Sequence, residues 1–238
     1  MHSPLLYAEK NSINPMNGIK HILITGFYDW HHLGVPPNVK RCRDNPSCRV
    51  LANEGIDHRG FNGPLAKLIK KWSKEEVDKK VTFALLPVTW SSLDQLDHHR
   101  FHTIIHLGLG VYDSYHRILI ENGAYNLHHG TDALGEKRES LIQAHKPEVL
   151  KATSVITDGI KRALRHPLPQ PFNLIQTEAR RDNTYLCNAT YYNTLLEVRK
   201  HPELNKEAYF IHIPHREGKS DQALSQVLFE IIKALLIK

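Results

Sequence analysis

The sequence predicts an α/β fold, a three-layer α/β/α sandwich with a largely parallel, mixed central sheet. Two observations lead there. Short apolar runs alternate along the chain with stretches of helical periodicity. Several polar motifs stand just after the ends of those runs, where folds of this kind hold their ligands. The 238 residues suffice for one full core. Residues 1–18 read as an N-terminal extension and 19–238 as a single domain.

The elements follow in order. His21-Ile-Leu-Ile-Thr25 reads as a buried strand that ends at Gly26. The next stretch, from Phe27 to about Asn45, carries Pro36-Pro37 and many polar residues, and reads as one long irregular loop. Leu65, Leu68, Ile69 and Trp72 have helical spacing, which predicts a helix over 61–72. Val81-Thr-Phe-Ala-Leu-Leu-Pro-Val88 reads as a strand, 91–99 as a short helix opened by serine, and 102–108 as a third strand. Further on, 155–164 is helical, 172–176 strand-like, 187–200 helical and 208–213 a strand. A strongly amphipathic helix over 221–237 closes the chain, with Leu224, Leu228, Ile231, Ile232 and Leu235 as its buried face.

Composition is that of a soluble globular protein, 41% hydrophobic and 24% charged. No apolar run is long enough to span a bilayer, and the first residues lack a signal-peptide core, so a cytoplasmic protein without membrane partners is expected. The formal net charge of +6 permits a nucleic-acid partner. The basic residues are scattered and interleaved with acidic ones, however, so they read as solvated surface and nucleic acid is not an expected partner. The three cysteines are too few for a disulfide framework. Cys42 and Cys48 flank a short segment that a bridge would close, but the cytosolic reading favours two reduced thiols. Histidine is abundant, at 17 residues, yet the adjacent pairs His31-His32, His98-His99 and His128-His129 lack the spacing of helical zinc sites. No metal and no cofactor are expected.

The stretch that carries chemistry is Tyr185-Leu186-Cys187-Asn188. It puts a thiol where a charged irregular segment gives way to a helix. The unpaired N–H groups and positive dipole end of a helix start are expected to lower a thiol pKa, and the thiolate is the nucleophile. A histidine lies inside the apolar run Phe210-Ile-His212-Ile-Pro, and a carboxylate ends the run Ile118-Leu-Ile-Glu121. Nucleophile, base and orienting acid are the parts of a cysteine hydrolase.

These motifs together resemble the pyroglutamyl peptidase I (pyrrolidone-carboxylate peptidase) family, over nearly the whole chain from His21. The matching stretches occur in family order: Ile22-Leu-Ile-Thr-Gly-Phe27, Asn45-Pro-Ser47, Leu86-Pro-Val88, Ile105-His-Leu-Gly-Leu109, Glu121-Asn-Gly-Ala-Tyr-Asn126, Tyr185-Leu-Cys-Asn188 and Phe210-Ile-His-Ile-Pro214. The resemblance implies a catalytic domain that removes an N-terminal 5-oxoproline from peptide substrates. Cys187 would be the nucleophile, His212 the base and Glu121 its partner. It puts Phe27 and Trp30 around the substrate ring and Asn126 among the substrate-binding residues, and it implies a homodimer or homotetramer. The sequence departs from the family at the 27–34 turn, at 127–133, and at Arg181-Asp-Asn-Thr184, where small residues are usual.

Blander readings compete at each position. A lone histidine in an apolar strand is usually a satisfied core residue, and His106 is read that way. His128 and His129 are read as rim residues. The alternative at the level of the whole protein is a non-catalytic or altered-specificity binding protein on the same scaffold.

Overall fold

The structure is a computed structural model. It describes residues 7–8, 18–29, 42–53, 60–94, 96–97, 100–152, 154–165, 168–200, 202, 206–215 and 220–237. Strands β1 (Tyr7–Ala8), β2 (Lys20–Phe27), β3 (Lys79–Leu86), β4 (Thr103–Val111), β5 (Arg117–Glu121), β10 (Asn173–Thr177) and β11 (Glu207–Pro214) form one sheet, in the order β1-β3-β2-β4-β11-β5-β10. β3, β2, β4 and β11 run parallel. β5 runs against β11 and alongside β10, and β1 pairs antiparallel at the far edge, so the sheet is mixed as expected. Tyr7–Ala8 of the N-terminal extension thus joins the sheet.

Helices α1 (Pro46–Ala52), α2 (Pro64–Glu75) and α3 (Ser154–Arg165) pack against α5 (Asp221–Leu236), while α4 (Leu186–Lys200) packs on β4 and β11. Alternation along β11 decides which residue meets which layer. The Tyr209 hydroxyl lies against Gly159 of α3, where an added Cβ would fall 2.4 Å from it and 3.3 Å from Leu235 of α5. Phe210 and His212 face the other way, where Phe210 meets Tyr191 of α4 with ring centroids 5.8 Å apart. On β4 the same face carries His106, Gly108 and Gly110.

Helix ends follow their capping chemistry. Asn45 accepts the Ser47 N–H at 3.0 Å with Pro46 in the first turn, and Ser220 accepts the Gln222 N–H at 3.2 Å. Pro64 opens α2, which buries Leu65, Ala66, Ile69 and Trp72. β3 ends at Leu86, before Pro87. Among the described residues, four short strands lie outside the main sheet: β6 (Gly123–Tyr125) pairs with β9 (Val149–Lys151), and β7 (His128–Thr131) with β8 (Lys137–Ser140).

Two expectations are corrected. The short helix expected over 91–99 is, at its described residues 91–94 and 96–97, instead a run of turns, with Ser92 N–H to Thr89, Asp94 to Ser91 and Leu96 to Leu93, all reaching back only three residues. The stretch from Phe27 to Asn45 is irregular, as expected, at its described residues beyond β2, 28–29 and 42–45. Residues 30–41 lie outside the described residues, but its two ends are tied together by Asp29, whose carboxylate accepts the N–H groups of Arg43, Asp44 and Asn45 at 2.7, 3.1 and 2.8 Å. Finally, Cys42 and Cys48 are bonded as a disulfide, not reduced. The Asp29 clasp turns the chain back onto α1 and brings the two Cα atoms to 5.0 Å, within bridging range.

Candidate active site

Cys187 is the second residue of α4, which begins as the Tyr185 carbonyl accepts the Ala189 N–H at 3.1 Å. The side chain of Asn188 anchors this helix start. It accepts the Tyr125 N–H at 2.7 Å and donates to the carbonyls of Tyr125 and Leu127 at 2.9 and 3.0 Å. One turn on, the Tyr191 hydroxyl donates to the Glu121 carbonyl at 3.3 Å. The helix that carries the thiol is therefore bonded directly to the backbone around Glu121.

His212 completes the recess. Its Nε2 stands 3.2 Å from Glu121 Oε1, with both side chains more than 90% buried. Its ring packs on Phe210 at 4.9 Å between centroids. The other nitrogen, Nδ1, is buried with no hydrogen-bond partner among the described residues. The ring lies close on the β4 backbone: a Cβ on Gly110 would fall 1.7 Å from Nδ1, and one on Gly108 would fall 2.9 Å from Cys187 Sγ. Thiol and imidazole thus both lie against one face of β4, at positions two residues apart. Glu121, Cys187 and His212 line one recess with Asn183, Arg180 and Tyr191. It holds about 10 Å³ of free volume, room for about one water molecule, so a larger ligand needs its mouth to widen.

The thiol is not activated at rest. Burial, and then the Glu121 carboxylate, push its pKa up to about 12, and a backbone hydrogen bond offsets only part of this. The expectation that a helix start would lower it is corrected. Although Cys187 is only partly buried by surface area, desolvation of its thiolate outweighs the helix terminus.

Three solved structures share this architecture. Pyrrolidone carboxyl peptidase from Thermococcus litoralis aligns with a TM-score of 0.60 at 20% identity, over 92% of this chain and 94% of that one. Pyroglutamyl peptidase I from Bacillus amyloliquefaciens gives 0.61 at 17%, over 92% and 96%. Pyrrolidone carboxyl peptidase from Thermus thermophilus gives 0.59 at 18%, over 90% and 99%. This chain has the pyroglutamyl peptidase I fold. Neither a protein-family model nor a curated protein matches its sequence.

On the pyroglutamyl peptidase fold the remaining expected site residues fare differently. Phe27 is buried on the recess side of the sheet and packs against Phe210 at 6.5 Å, one ring removed from the His212 imidazole. Its N–H is held by Ser47 Oγ at 2.9 Å. Trp30 lies outside the described residues. Asn126, expected to bind substrate, has its amide engaged elsewhere. It donates to the carbonyls of Gln143 and Lys146 at 2.7 and 3.2 Å and accepts the Gln143 N–H at 2.8 Å, which fastens the 143–146 loop. His106 is the satisfied core histidine expected, between Thr25 Oγ1 at 2.7 Å and Thr194 Oγ1 at 2.9 Å.

Sequence reasoning missed Asn183, whose Nδ2 donates to Glu121 Oε1 at 3.2 Å, the same oxygen that faces His212. Nothing in its position along the chain announces this. Gly108 and Gly110 were missed as well, though they carry a readable signal: two glycines at strand period two mark a close approach of another group to the backbone. Among the described residues, no cluster of three or more His, Cys, Asp or Glu side chains forms a metal site, and no helix is long and apolar enough to cross a membrane.

His128, read as a rim residue, is buried edge-on against Trp90 at 4.9 Å. Burial, then the Arg138 charge, lowers its pKa from 6.5 to about 4. A base whose folded pKa is depressed contributes stability above its unfolded pKa, and that stability drains away as pH falls from 6.5 through about 4. The expected loss across this window is up to about 3 kcal/mol. His128→Gln should flatten it, as read from urea midpoints between pH 7 and pH 4. Equal losses in the variant and the native protein would contradict this account.

Proposed function

We propose that this protein is a cysteine omega-peptidase, which hydrolyses the amide bond after an N-terminal 5-oxoprolyl residue. The observation that carries the reading is the Glu121–His212 pair at 3.2 Å in the recess that also holds Cys187. Glu121 holds the Nε2–H tautomer, which leaves Nδ1 as the base. Because the resting thiol keeps its proton at neutral pH, transfer of that proton to Nδ1 accompanies attack of sulfur on the scissile carbonyl. Backbone N–H groups in the first turn of α4 then stabilise the oxyanion. The imidazolium returns the proton to the leaving amine, and a thioester forms at Cys187. A water, deprotonated by the same nitrogen, cleaves the thioester and releases free 5-oxoproline and the thiol.

The substrate ring is flat and neutral, suited to the aromatic faces of Phe27 and Trp30. An ordinary N-terminal ammonium has no partner in such a pocket and is costly to bury. The test compares fluorophore release from the coumarin amides of pyroglutamate and proline. The first is expected to be cleaved, and the second at least about 100-fold more slowly. No release above blank by the folded protein would leave the second reading, a binding protein on this scaffold, which the elevated thiol pKa favours.

A further inference from the structure

The turn just before α4 sets at the recess an arginine that the proposed chemistry does not use. Arg180 lines it together with Glu121, Cys187 and His212. The turn is held in place twice: the Asn183 N–H donates to the Arg180 carbonyl at 3.1 Å, and Asn183 Nδ2 donates to Glu121 Oε1 at 3.2 Å. The arginine is therefore carried by a segment bonded to the catalytic carboxylate. Its side chain is 56% exposed, so its charge is open to solvent beside the recess.

The nearby acids leave this guanidinium weakly engaged. Asp182 Oδ1 stands 3.8 Å from Nε and is itself 80% exposed. Glu178 accepts the Asn122 amide at 2.9 Å. Glu121 is occupied by His212 and Asn183. Nor does Arg180 serve the thiol, whose acidity is set by burial and Glu121.

Resting on the peptidase reading above, we infer that Arg180 recognises a carboxylate on the residue that follows 5-oxoproline. The preferred substrates are then those with an anionic group immediately beyond the scissile bond. Geometry limits what the arginine meets. With the acyl carbon at Cys187 Sγ inside the recess, the leaving residue lies across its mouth. Its Cα is about 4 Å from that of the 5-oxoprolyl residue, and its carboxylate is a few bonds further. A guanidinium suits such a group, since its fork of donors matches two carboxylate oxygens. Two sources supply this chemistry, the free C-terminus of a dipeptide and an acidic side chain in a longer peptide.

Three substrates separate them: pyroglutamyl-alanine as the free acid, pyroglutamyl-alanine amide, and pyroglutamyl-glutamate amide. In the native protein kcat/KM is expected to be roughly threefold to tenfold higher for one or both carboxylate-bearing substrates than for the neutral amide, mainly through KM. Which of the two gains identifies the source. In Arg180→Ala the ratio falls to about 1, whereas Arg180→Lys, which keeps the charge without the fork, retains part of it. Equal rates on all three substrates in the native protein would overturn the inference, as would a preference that survives in Arg180→Ala. Both results leave the peptidase reading standing. Absence of turnover on all three overturns that reading and this inference with it.

Discussion

Gly110→Ala is expected to lower kcat/KM by roughly 10²–10⁴ with only a modest loss of stability. The new Cβ would fall 1.7 Å from His212 Nδ1 and 2.6 Å from Cγ and Cε1, far inside van der Waals contact. The backbone at Gly110 is ordinary extended strand, so alanine adds a contact and no conformational strain. The imidazole must give way. It is boxed in by Phe210 at 4.9 Å and by Glu121 at 3.2 Å, so it moves off the nitrogen–sulfur approach or breaks from the carboxylate. Overpacking of this kind costs typically about 1–3 kcal/mol, which leaves the protein folded. Kinetics on the pyroglutamyl amide beside thermal melting measure the two effects separately. A native rate in Gly110→Ala would mean that the ring does not sit against β4 during catalysis.

Glu121→Gln is expected to reduce kcat by about 10⁴, the size of the corresponding carboxylate-to-amide change in a serine triad. The amide can donate to Nε2, which favours the opposite tautomer and leaves Nδ1 protonated, unable to accept the thiol proton. The same substitution should act oppositely on the thiol. Glu121 is one of the two causes of its raised pKa, so removing the charge lowers that pKa and speeds alkylation by iodoacetamide at pH 8. General unfolding would also slow turnover and expose the thiol to faster alkylation, so circular dichroism is recorded beside both and is expected to stay native. A variant that loses turnover and alkylates no faster would show that the Glu121 charge does not reach the sulfur.

The main sheet was legible because its strands are short apolar runs set off by turns and by helices with one apolar face. β2, β4 and β11 lie where Ile22, Ile105 and Phe210 place them, and α5 where its apolar stripe does. The small sheets were not legible. β7 and β8 are half-exposed, polar and held by partners distant in sequence, such as the Thr184 carbonyl that accepts the His129 N–H at 3.0 Å. α1 carried a readable signal, an asparagine cap followed by proline, hidden beside a long polar stretch.

At the site, the sequence marked residue types and missed their couplings. Cys187, Glu121 and His212 could be named from motifs. That the thiol is held neutral, that Asn183 shares the Glu121 oxygen, and that Asn126 serves a loop all depend on three-dimensional enclosure. The Cys42–Cys48 bridge was missed for a similar reason: the Asp29 carboxylate that brings the two cysteines together acts from outside their segment.

The central claim is that Cys187 attacks the pyroglutamyl carbonyl and carries the acyl group. The direct measurement is rapid acid quench of the native protein during turnover of a pyroglutamyl amide, followed by peptide mass mapping. One pyroglutamyl acyl group on the peptide that contains Cys187, absent from Cys187→Ala, is the result this account predicts. Turnover with no acylated Cys187 peptide, or acylation at another residue, would contradict it.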